Sequence, residues 1–243
     1  MNLILIHDHE LNGRTVCLSD RRAEHLRKIL KVKRGDTVRV GIIDGLMGTG
    51  MVEEISRHAA VLTVETDTQP PPKLGLDLLL ALPRPIMLKR VLAQASALGV
   101  NHIYLLNACR VEKSFFEASP VKDLDFAPYL RNGLEQAMDT IAPTVSVHHR
   151  FKPFIEDILP GQAPSHKLIA HPGDDVLLSE GAKPGPGERI LLAIGPEGGW
   201  VDYEVASLRE CGFLPFSLGP RILRVDTAVP ATIAQVALLR QID

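Results

Sequence analysis

Two segments near the end of the chain combine residue types that are suited to ligand binding. The first, Gly195–Gly199, reads GPEGG and directly follows the apolar run ILLAI. Its three glycines allow positive φ angles and let backbone amides approach a ligand closely. A tight turn between a strand and a helix explains the same glycines. The segment lacks the Lys-Ser/Thr pair of a phosphate-binding P-loop and the spacing of a dinucleotide fingerprint, which disfavours both of those sites.

The second segment, Leu218–Ala228, reads LGPRILRVDTA and follows the short run LPFS. It places Arg221 and Arg224 on either side of two apolar residues, between a predicted strand and a predicted helix. This arrangement predicts a hydrophobic slot beside positive charge, and a surface turn with solvated arginines is the alternative. Because ligands of open α/β sheets bind beyond the carboxyl ends of the strands, both segments hold a suitable position.

The elements that position these segments begin after Pro70–Pro72, three consecutive prolines that neither a helix nor a central strand can cross. The predicted strands are Leu76–Leu82, His102–Leu106, Thr144–Val147, Lys167–Ala170, Arg189–Ile194 and Pro215–Leu218. The predicted helices are Ile86–Leu98, most of Val121–Ala137, Pro153–Ile158, Asp202–Cys211 and Ala228–Leu239. This alternation predicts an α/β domain over residues 74–243, with a mostly parallel sheet covered on both faces.

The part of the chain before the prolines has a different rhythm, with short β-type runs separated by turn residues. These runs are Leu3–Ile6, Thr15–Leu18, Thr37–Gly41, Gly50–Ile55 and Val61–Thr66. A helix from about Ser19 to Leu30, with Ser19 as its N-cap, interrupts them. The pattern predicts a small β-barrel-like domain over residues 1–70.

Composition sets limits on the class of protein. The 243 residues carry a net charge of -2 and are 45% hydrophobic, which is ordinary for a globular chain. The three cysteines are far apart and form no CxxC, so reduced thiols in a cytoplasmic protein are expected. The apolar runs are too short for a signal peptide or a membrane span. No metal site is predicted, because the rings of His148 and His149 on one strand would point to opposite faces.

A basic cluster, Arg21–Arg39, stands out against the weakly acidic average. Its nineteen residues contain eight Lys or Arg and only two acids, Glu24 and Asp36, for a local charge of +6. Such a cluster predicts contacts to nucleic-acid phosphates that weaken with salt, whereas a solvated helix face is the alternative. The predicted phosphate contacts are Arg22, Arg27, Lys28, Lys31 and Lys33.

IGPEGGW followed by LGPRILRVDTA closely resembles the paired C-terminal motifs of the RsmE family of ribosomal RNA methyltransferases, which belong to the SPOUT class. Residues 22–36, RAEHLRKILKVKRGD, are similar to the PUA-like RNA-binding domain of that family. LLLALPRPIMLKRVLAQASALGV is similar to the first strand and helix of its catalytic domain. The resemblance therefore covers most of the chain, and the two C-terminal motifs together are its most specific part.

The resemblance implies a C-terminal SPOUT α/β domain with a trefoil knot, preceded by a small PUA-like β-barrel domain. It also implies that S-adenosyl-L-methionine (SAM) lies bent against three loops, Ala170–Gly173, Ile194–Gly199 and Leu218–Arg224, and that the knotted domains pair as homodimers. The implied cofactor-binding residues are Ala170, His171, Ile194, Gly195, Glu197, Gly198, Leu218, Gly219, Ile222, Leu223 and Thr227.

Family members methylate N3 of a uridine in small-subunit ribosomal RNA, which makes ribosomal RNA the implied partner. The N3 proton must leave, and the negative charge that develops on the uracil must be stabilised. A guanidinium donates hydrogen bonds in a planar fork, so Arg224 is the first candidate for this role and Arg221 is the second. By the same resemblance, Glu135 and Gln136 lie at the active site, where they orient the base.

Three segments depart from the common pattern of the family. Gln94–Val100 lacks its lysine and glutamate, Glu135–Thr140 lacks its arginine, and Val225–Ala228 has Asp226 in place of a glutamate. The cofactor loops are thus retained while parts of the predicted substrate side are changed. Two alternatives to an N3-uridine methyltransferase of 16S ribosomal RNA follow: a SPOUT methyltransferase that acts on another RNA, and a catalytically inactive RNA-binding protein.

Overall fold

The strands of the chain form two separate six-stranded sheets. The computed structural model describes residues 1–162, 164–171, 176–181, 184–185 and 187–240. The chain divides into two compact units. The first consists of Met1–Pro72 with Arg131–Ala142, and the second of Lys73–Leu130 with Pro143–Asp243. A mixed α/β fold is thus confirmed, with one sheet in each unit.

The described residues contain twelve strands. Strands of the first unit are β1 (Ile4–Ile6), β2 (Leu11–Asn12), β3 (Thr15–Leu18), β4 (Thr37–Ile42), β5 (Met47–Ile55) and β6 (Ala60–Thr68). Strands of the second unit are β7 (Leu76–Ala81), β8 (His102–Leu106), β9 (Thr144–His148), β10 (His166–Ala170), β11 (Ile190–Ile194) and β12 (Leu214–Phe216).

The α-helices are α1 (Arg21–His25), α2 (Pro85–Ala97), α3 (Ala127–Ala137), α4 (Phe151–Pro153), α5 (Leu178–Gly181), α6 (Asp202–Glu210) and α7 (Val225–Leu239). Two π-helical turns, Leu26–Leu30 and Phe154–Ile158, continue α1 and α4, and short 3-10 helices lie at Asp8–Glu10, Lys113–Glu117 and Leu159–Gly161. The described part of the chain contains no helix with both the length and the apolar character that a membrane span requires.

In the first unit the strand order is β1-β4-β5-β6-β3-β2, and all neighbours except the parallel pair β1 and β4 are antiparallel. Alternate side chains of these strands face one apolar core, as in β3, where Val16 and Leu18 are buried and their neighbours are exposed. Gly48 marks an irregularity in the pairing of β5 with β6. A Cβ there would lie 1.9 Å from the backbone oxygen of Glu65, so only glycine fits.

The first helix begins one residue later than predicted and is capped by a different residue. The side chain of Asp20, not Ser19, accepts a hydrogen bond of 2.9 Å from the backbone amide of Arg22. Asp and Ser are equally good N-caps, so their order in the sequence did not discriminate between them. The α-helical part ends at His25 and the π-helical turn carries the chain to Leu30.

Arg22 lies in a dense set of contacts within the first unit, and its side chain is only 11% exposed. Its guanidinium donates to both carboxylate oxygens of Glu10, to Asp20 and to the backbone oxygen of Leu5. The predicted phosphate contact of Arg22 is therefore not retained, since its donors are bound within the protein. These hydrogen bonds lower the pKa of Glu10 to about 2.

Replacing Glu10 with glutamine should lower the free energy of unfolding at pH 7 by about 1–2 kcal/mol, a value that allows for partial solvent screening. The reason is that Arg22 loses a charged partner. Because the pKa of Glu10 is depressed, its stabilisation is present above pH 4.5 and is lost as the pH falls toward 2. Urea unfolding should show that the free energies of unfolding of wild type and variant differ less at pH 3 than at pH 7. Glu65→Gln, at an exposed ion pair with Arg14, is the control and should change little.

The segment Arg131–Ala142 belongs to the first unit, although the sequence placed residues 74–243 in one domain. Leu134 is fully buried in a small apolar cluster with Leu3 and Leu5. The backbone oxygen of Glu135 accepts from the amides of Asn2 and Leu3 at 2.9 and 3.1 Å. Burial of one apolar side chain and these backbone contacts explain why the segment is part of this core.

In the second unit all strand pairs are parallel, in the order β12-β10-β11-β7-β8-β9. Every residue of β7 and β11 is buried, as expected for central strands of a sheet that is covered on both faces. Helix α7 packs against α2 and against β11. The predicted parallel sheet is confirmed, and all six predicted strands are present.

Two predicted helices start at different residues. Helix α3 begins at Ala127, six residues after the predicted start at Val121. Pro128 lies in its first turn, where the missing amide of proline is tolerated. Helix α7 begins at Val225, three residues before the predicted start, because the backbone oxygen of Arg224 accepts from the amides of Thr227 and Ala228.

Candidate functional site

Three neighbouring strands of the second sheet end side by side. Ala170 at the end of β10 is in register with Ile194 of β11 and with Phe216 of β12. The amide of His171 donates to the backbone oxygen of Phe216 at 3.0 Å, which extends this alignment by one residue. The three predicted cofactor loops therefore leave the sheet at the same end, where the carboxyl termini of these strands lie. Pro172 and Gly173, which complete the first of these loops, lie outside the described residues.

The loop after β11 turns tightly around a buried tryptophan. A Cβ on Gly195 would lie 3.1 Å from the ring of Trp200, which is almost completely buried. Gly199 has a φ of +74°, and its amide donates to the backbone oxygen of Pro196 at 2.8 Å. The glycines at these two positions are therefore required by close approach and by backbone conformation, respectively.

Neighbouring segments hold the outer part of this loop. The carboxylate of Glu197 accepts a hydrogen bond of 3.0 Å from the backbone amide of Arg84, just before α2. The guanidinium of Arg110, in the loop after β8, donates to the backbone oxygen of Gly198. Glu197 was predicted as a cofactor contact, and one of its carboxylate oxygens fixes the loop instead. Arg110 was not singled out from the sequence, because its role depends on a partner 88 residues away.

Glu204 is a second residue that the sequence did not reveal. Its carboxylate is buried in α6, with the residue 2% exposed. One oxygen accepts from the amide of Val201 at 3.0 Å and the other from the amide of Cys109 at 2.7 Å. A glutamate in the first turn of a helix is the signal for such a cap, but Val201 lacks the polar side chain that usually accompanies it. Glu204 thus joins the end of the glycine loop to the loop after β8.

Replacing Glu204 with alanine should lower the free energy of unfolding by about 2–5 kcal/mol, because two buried amide donors lose their acceptors. Glu204→Gln keeps one acceptor oxygen and should show a smaller loss. Glu210→Ala, at an exposed position of the same helix, is the matched control. Denaturant unfolding of the three variants measures the effect. A loss for Glu204→Ala no larger than that of the control would contradict the joining role of this carboxylate.

The loop after β12 begins with a local turn and then becomes highly exposed. The hydroxyl of Ser217 accepts from the amide of Gly219 at 3.1 Å, and Gly219 has a φ of +103°. No atom lies within 4 Å of the position that a Cβ on Gly219 would occupy, so a ligand has room to approach the backbone there. Ile222 follows with 84% of its surface exposed.

Arg221 and Arg224 both have exposed side chains in this loop. Arg224 immediately precedes α7, so its guanidinium adds to the partial positive charge of that helix N-terminus. Thr227 is exposed in the first turn of α7. Asp226 forms an ion pair of 3.4 Å with Arg90 of α2, which leaves both predicted catalytic arginines without a carboxylate partner among the described residues. The loop after β12 therefore carries two positive charges that no described carboxylate pairs with.

Several polar groups at the site are open to a ligand. In the described part of the chain, the following backbone amides have no acceptor: Glu197, Gly198, Leu218, Ile222 and Leu223. The ring nitrogen Nδ1 of His171 and Nε1 of Trp200 are buried and also have no partner there. Free amides at glycine-rich turns and unpartnered ring nitrogens suit a ligand that offers several hydrogen-bonding groups, such as an adenosine with an amino-acid tail.

The residues predicted to touch RNA lie in the first unit. Lys31, Lys33 and the amide side chain of Gln136 are exposed, and Arg27 is half-buried. Lys28 is exposed and contacts Glu24. In the described part of the chain Arg27, Lys31 and Lys33 have no acidic partner, and the exposed pair of Lys28 with Glu24 leaves the Lys28 ammonium accessible to a phosphate as well.

Glu135, predicted as catalytic, is buried in the first unit and forms an ion pair with Arg21. Two hydrogen bonds, of 2.5 and 3.0 Å, join both of its carboxylate oxygens to the Arg21 guanidinium. They also raise the pKa of that guanidinium. The negative charge of Glu135 is therefore neutralised by Arg21, whereas the neighbouring Gln136 is exposed. No group of three or more His, Cys, Asp or Glu side chains with metal-binding geometry occurs among the described residues.

Comparison with known proteins places the whole chain beside one group of enzymes. Residues 70–237 match the family model described as an RNA methyltransferase domain. The ribosomal RNA small subunit methyltransferase E of Treponema pallidum is 30% identical over 97% of this chain and 90% of its own length. Ribosomal RNA small subunit methyltransferase E 1 of Borreliella burgdorferi is 26% identical over 95% of each chain.

Solved structures show the same fold. A ribosomal RNA small subunit methyltransferase E from Neisseria gonorrhoeae, bound to S-adenosyl methionine, aligns with a TM-score of 0.75 at 23% identity, covering 99% of this chain and 98% of its own. The Legionella pneumophila protein Lpg2936, in complex with SAM, aligns with a TM-score of 0.76 at 23% identity, covering 98% of this chain and 97% of its own. At these identities the likeness concerns the fold, and both of those structures hold the cofactor.

Proposed function

Because this chain belongs to the RNA methyltransferase family that includes the ribosomal RNA small subunit methyltransferase E proteins, we propose that it transfers a methyl group from SAM to 16S ribosomal RNA. We further propose that the acceptor is N3 of a uridine. One observation carries the assignment: three parallel strands end in register, and their loops present open backbone amides beside two arginines.

The residues at this edge of the sheet fit the cofactor. Ala170 and His171 in the centre, with Ile194–Gly198 on one side and Leu218–Leu223 on the other side, would hold it through backbone amides and apolar contacts. The unpartnered Nδ1 of His171 and the open space beside Gly219 support this placement. When bound, SAM supplies an electrophilic methyl group. The chain itself orients the acceptor, excludes water and stabilises charge.

In this proposal the N3 proton passes to solvent water, and Arg224 donates its planar pair of N–H groups to a uracil carbonyl oxygen, which stabilises the negative charge left on the ring until N3 takes the methyl group. The exposed side chain and its position at the N-terminus of α7 support that role. Arg221, three residues earlier in the same loop, contacts a phosphate. Glu135 acts through its neighbour Gln136 rather than on the base directly, because both of its carboxylate oxygens are bound by Arg21.

The first unit is proposed to be the PUA-like RNA-binding domain, with Arg27, Lys28, Lys31 and Lys33 on phosphates. For the second unit we propose the trefoil knot of the family and pairing into homodimers through it. Membership of the family supports both proposals. A cytoplasmic location follows from the ribosomal substrate.

Calorimetric titration with SAM and with S-adenosylhomocysteine is the first test, and saturable binding near one site per chain is expected. Transfer of labelled methyl groups to 16S ribosomal RNA, free and assembled in the small subunit, is the second. Nucleoside mass spectrometry of the product should identify N3-methyluridine. Label in another RNA alone would favour a different substrate. RNA binding without transfer to any RNA would favour an inactive binding protein.

A further inference from the structure

Two large apolar residues at the end of the first helical segment are exposed. Ile29 is 67% exposed and Leu30 is 47% exposed. The segment meets the core of the first unit through Ala23 and Leu26, which are buried, so Ile29 and Leu30 are not needed for that packing. The next residue, Lys31, has a φ of +53°, which ends the helical turn at this point. We refer to Ile29 and Leu30 as the apolar tip.

Positive charge flanks the apolar tip in the sequence on both sides. Arg27 and Lys28 precede it, and Lys31, Lys33 and Arg34 follow it. Of these five cations only Lys28 has an acidic partner among the described residues, Glu24, and that pair is exposed. A surface that pairs with another protein through apolar contacts is usually depleted of lysine at its centre. Here lysines and arginines directly adjoin the tip, and this composition favours a polyanion.

RNA offers both chemistries that this surface requires. Its phosphates bind the lysines and arginines, and the faces of unstacked bases bind apolar side chains. In a regular A-form helix the bases are stacked and the major groove is too deep and narrow for side chains. An apolar side chain therefore gains contact with a base only where the helix is interrupted by a loop, a bulge or an end. Proteins that bend DNA insert leucine and isoleucine between base steps that they partly unstack, so aliphatic side chains of this kind do contact the faces of unstacked bases.

We propose that Ile29 and Leu30 contact an unstacked base of the RNA substrate while the flanking cations bind the phosphates on either side of it. The inference rests on the proposed function and extends it to a substrate class: RNA that contains unpaired nucleotides, rather than a continuous duplex. The tip thus contributes salt-independent affinity, and the lysines contribute salt-dependent affinity.

The test compares two labelled RNAs. One is a duplex of about 20 base pairs, which is long enough for a domain that binds double-stranded RNA. The other is the same duplex interrupted by an internal loop of unpaired uridines. The variant I29S/L30S should bind the looped RNA about tenfold more weakly than wild type and the duplex equally well. Its dependence on salt should be unchanged. The double variant Lys31→Gln/Lys33→Gln should instead lower the affinity for both RNAs. It should also reduce the slope of log affinity against log salt concentration by about one to two.

Met51→Ser is the matched control, since Met51 lies on β5 of the same unit and is 46% exposed. It should leave both affinities unchanged. An equal loss of affinity for both RNAs in I29S/L30S would overturn the proposal. A weaker dependence of the affinity on salt in that variant would also overturn it. A changed sedimentation coefficient would also overturn it, because the tip would then contact a second copy of the chain.

The two proposals fail in different ways. A wild-type protein that methylates 16S ribosomal RNA but binds looped and uninterrupted RNA equally overturns the apolar tip alone. A wild-type protein that transfers no methyl group to any RNA overturns the proposed function. In that second case the binding comparison still decides whether the tip contacts unpaired bases.

Discussion

Replacing Arg224 with alanine should lower the rate constant of methyl transfer by about 10²–10³, the usual cost of removing one donor that stabilises developing negative charge. Binding of SAM should change little, because the open amides of the cofactor loops remain. The backbone oxygen of Arg224, which accepts from Thr227 and Ala228, also remains, so α7 keeps its start. Single-turnover transfer of labelled methyl groups to 16S ribosomal RNA measures the rate.

Two further variants separate the charge of Arg224 from its shape. Arg224→Lys keeps the charge but loses the planar fork, and an intermediate rate is expected. Arg150→Ala removes an exposed arginine elsewhere in the second unit and should leave the rate unchanged. Arg221→Ala should act mainly on affinity for RNA and on its salt dependence. An unchanged rate in Arg224→Ala would remove this residue from the mechanism.

Replacing Gly195 with valine should weaken SAM binding by about 100-fold or more, since displacements of about 1 Å at a binding site have effects of this size. The Cβ alone would lie 3.1 Å from the ring of Trp200, and the two methyl groups of valine reach further. Trp200 is buried and cannot move aside without disturbing its neighbours. The loop must therefore shift, and its amides shift with it.

The control for this experiment is Gly161→Val, because no atom lies within 4 Å of a Cβ at Gly161. Calorimetric titration with SAM gives the affinities, and circular dichroism establishes that each variant is folded. Full-strength binding by a folded Gly195→Val protein would mean that the cofactor lies elsewhere. Equal losses in both variants would assign the effect to general destabilisation.

The sheet of the second unit was predictable because its strands are short apolar runs between turn residues, and central parallel strands bury both faces. The position of the three loops side by side was predictable as well, because neighbouring parallel strands have their carboxyl ends at the same end of the sheet. The contacts that hold the loops did not follow. Arg110 and Glu204 act on partners that are distant in the sequence, at Gly198 and Cys109 respectively, and local patterns carry no information on such pairs.

In the first unit the number of cations in the sequence did not predict correctly which of them are free to contact phosphates. Eight cations in the basic cluster predicted phosphate contacts, but the count does not tell a solvated guanidinium from a bound one. Arg22 is bound by Glu10 and Asp20, and Arg21 is bound by Glu135. All three of these acids lie outside the cluster. Exposure of Ile29 and Leu30 was equally hidden, because apolar residues in a helical pattern are usually taken as core.

The position of Arg131–Ala142 in the first unit has a consequence for synthesis on the ribosome. All six strands of the first sheet are complete when residue 68 has emerged, yet Leu134 and Glu135 of that unit are still missing. The 58 residues from Lys73 to Leu130, which belong to the other unit, must be made in between. Until then Leu3 and Leu5 lack Leu134, the third buried member of their cluster, and Arg21 lacks its carboxylate. The first unit therefore cannot finish folding when its own sheet has been made, and must wait until residues 131–142 have been translated.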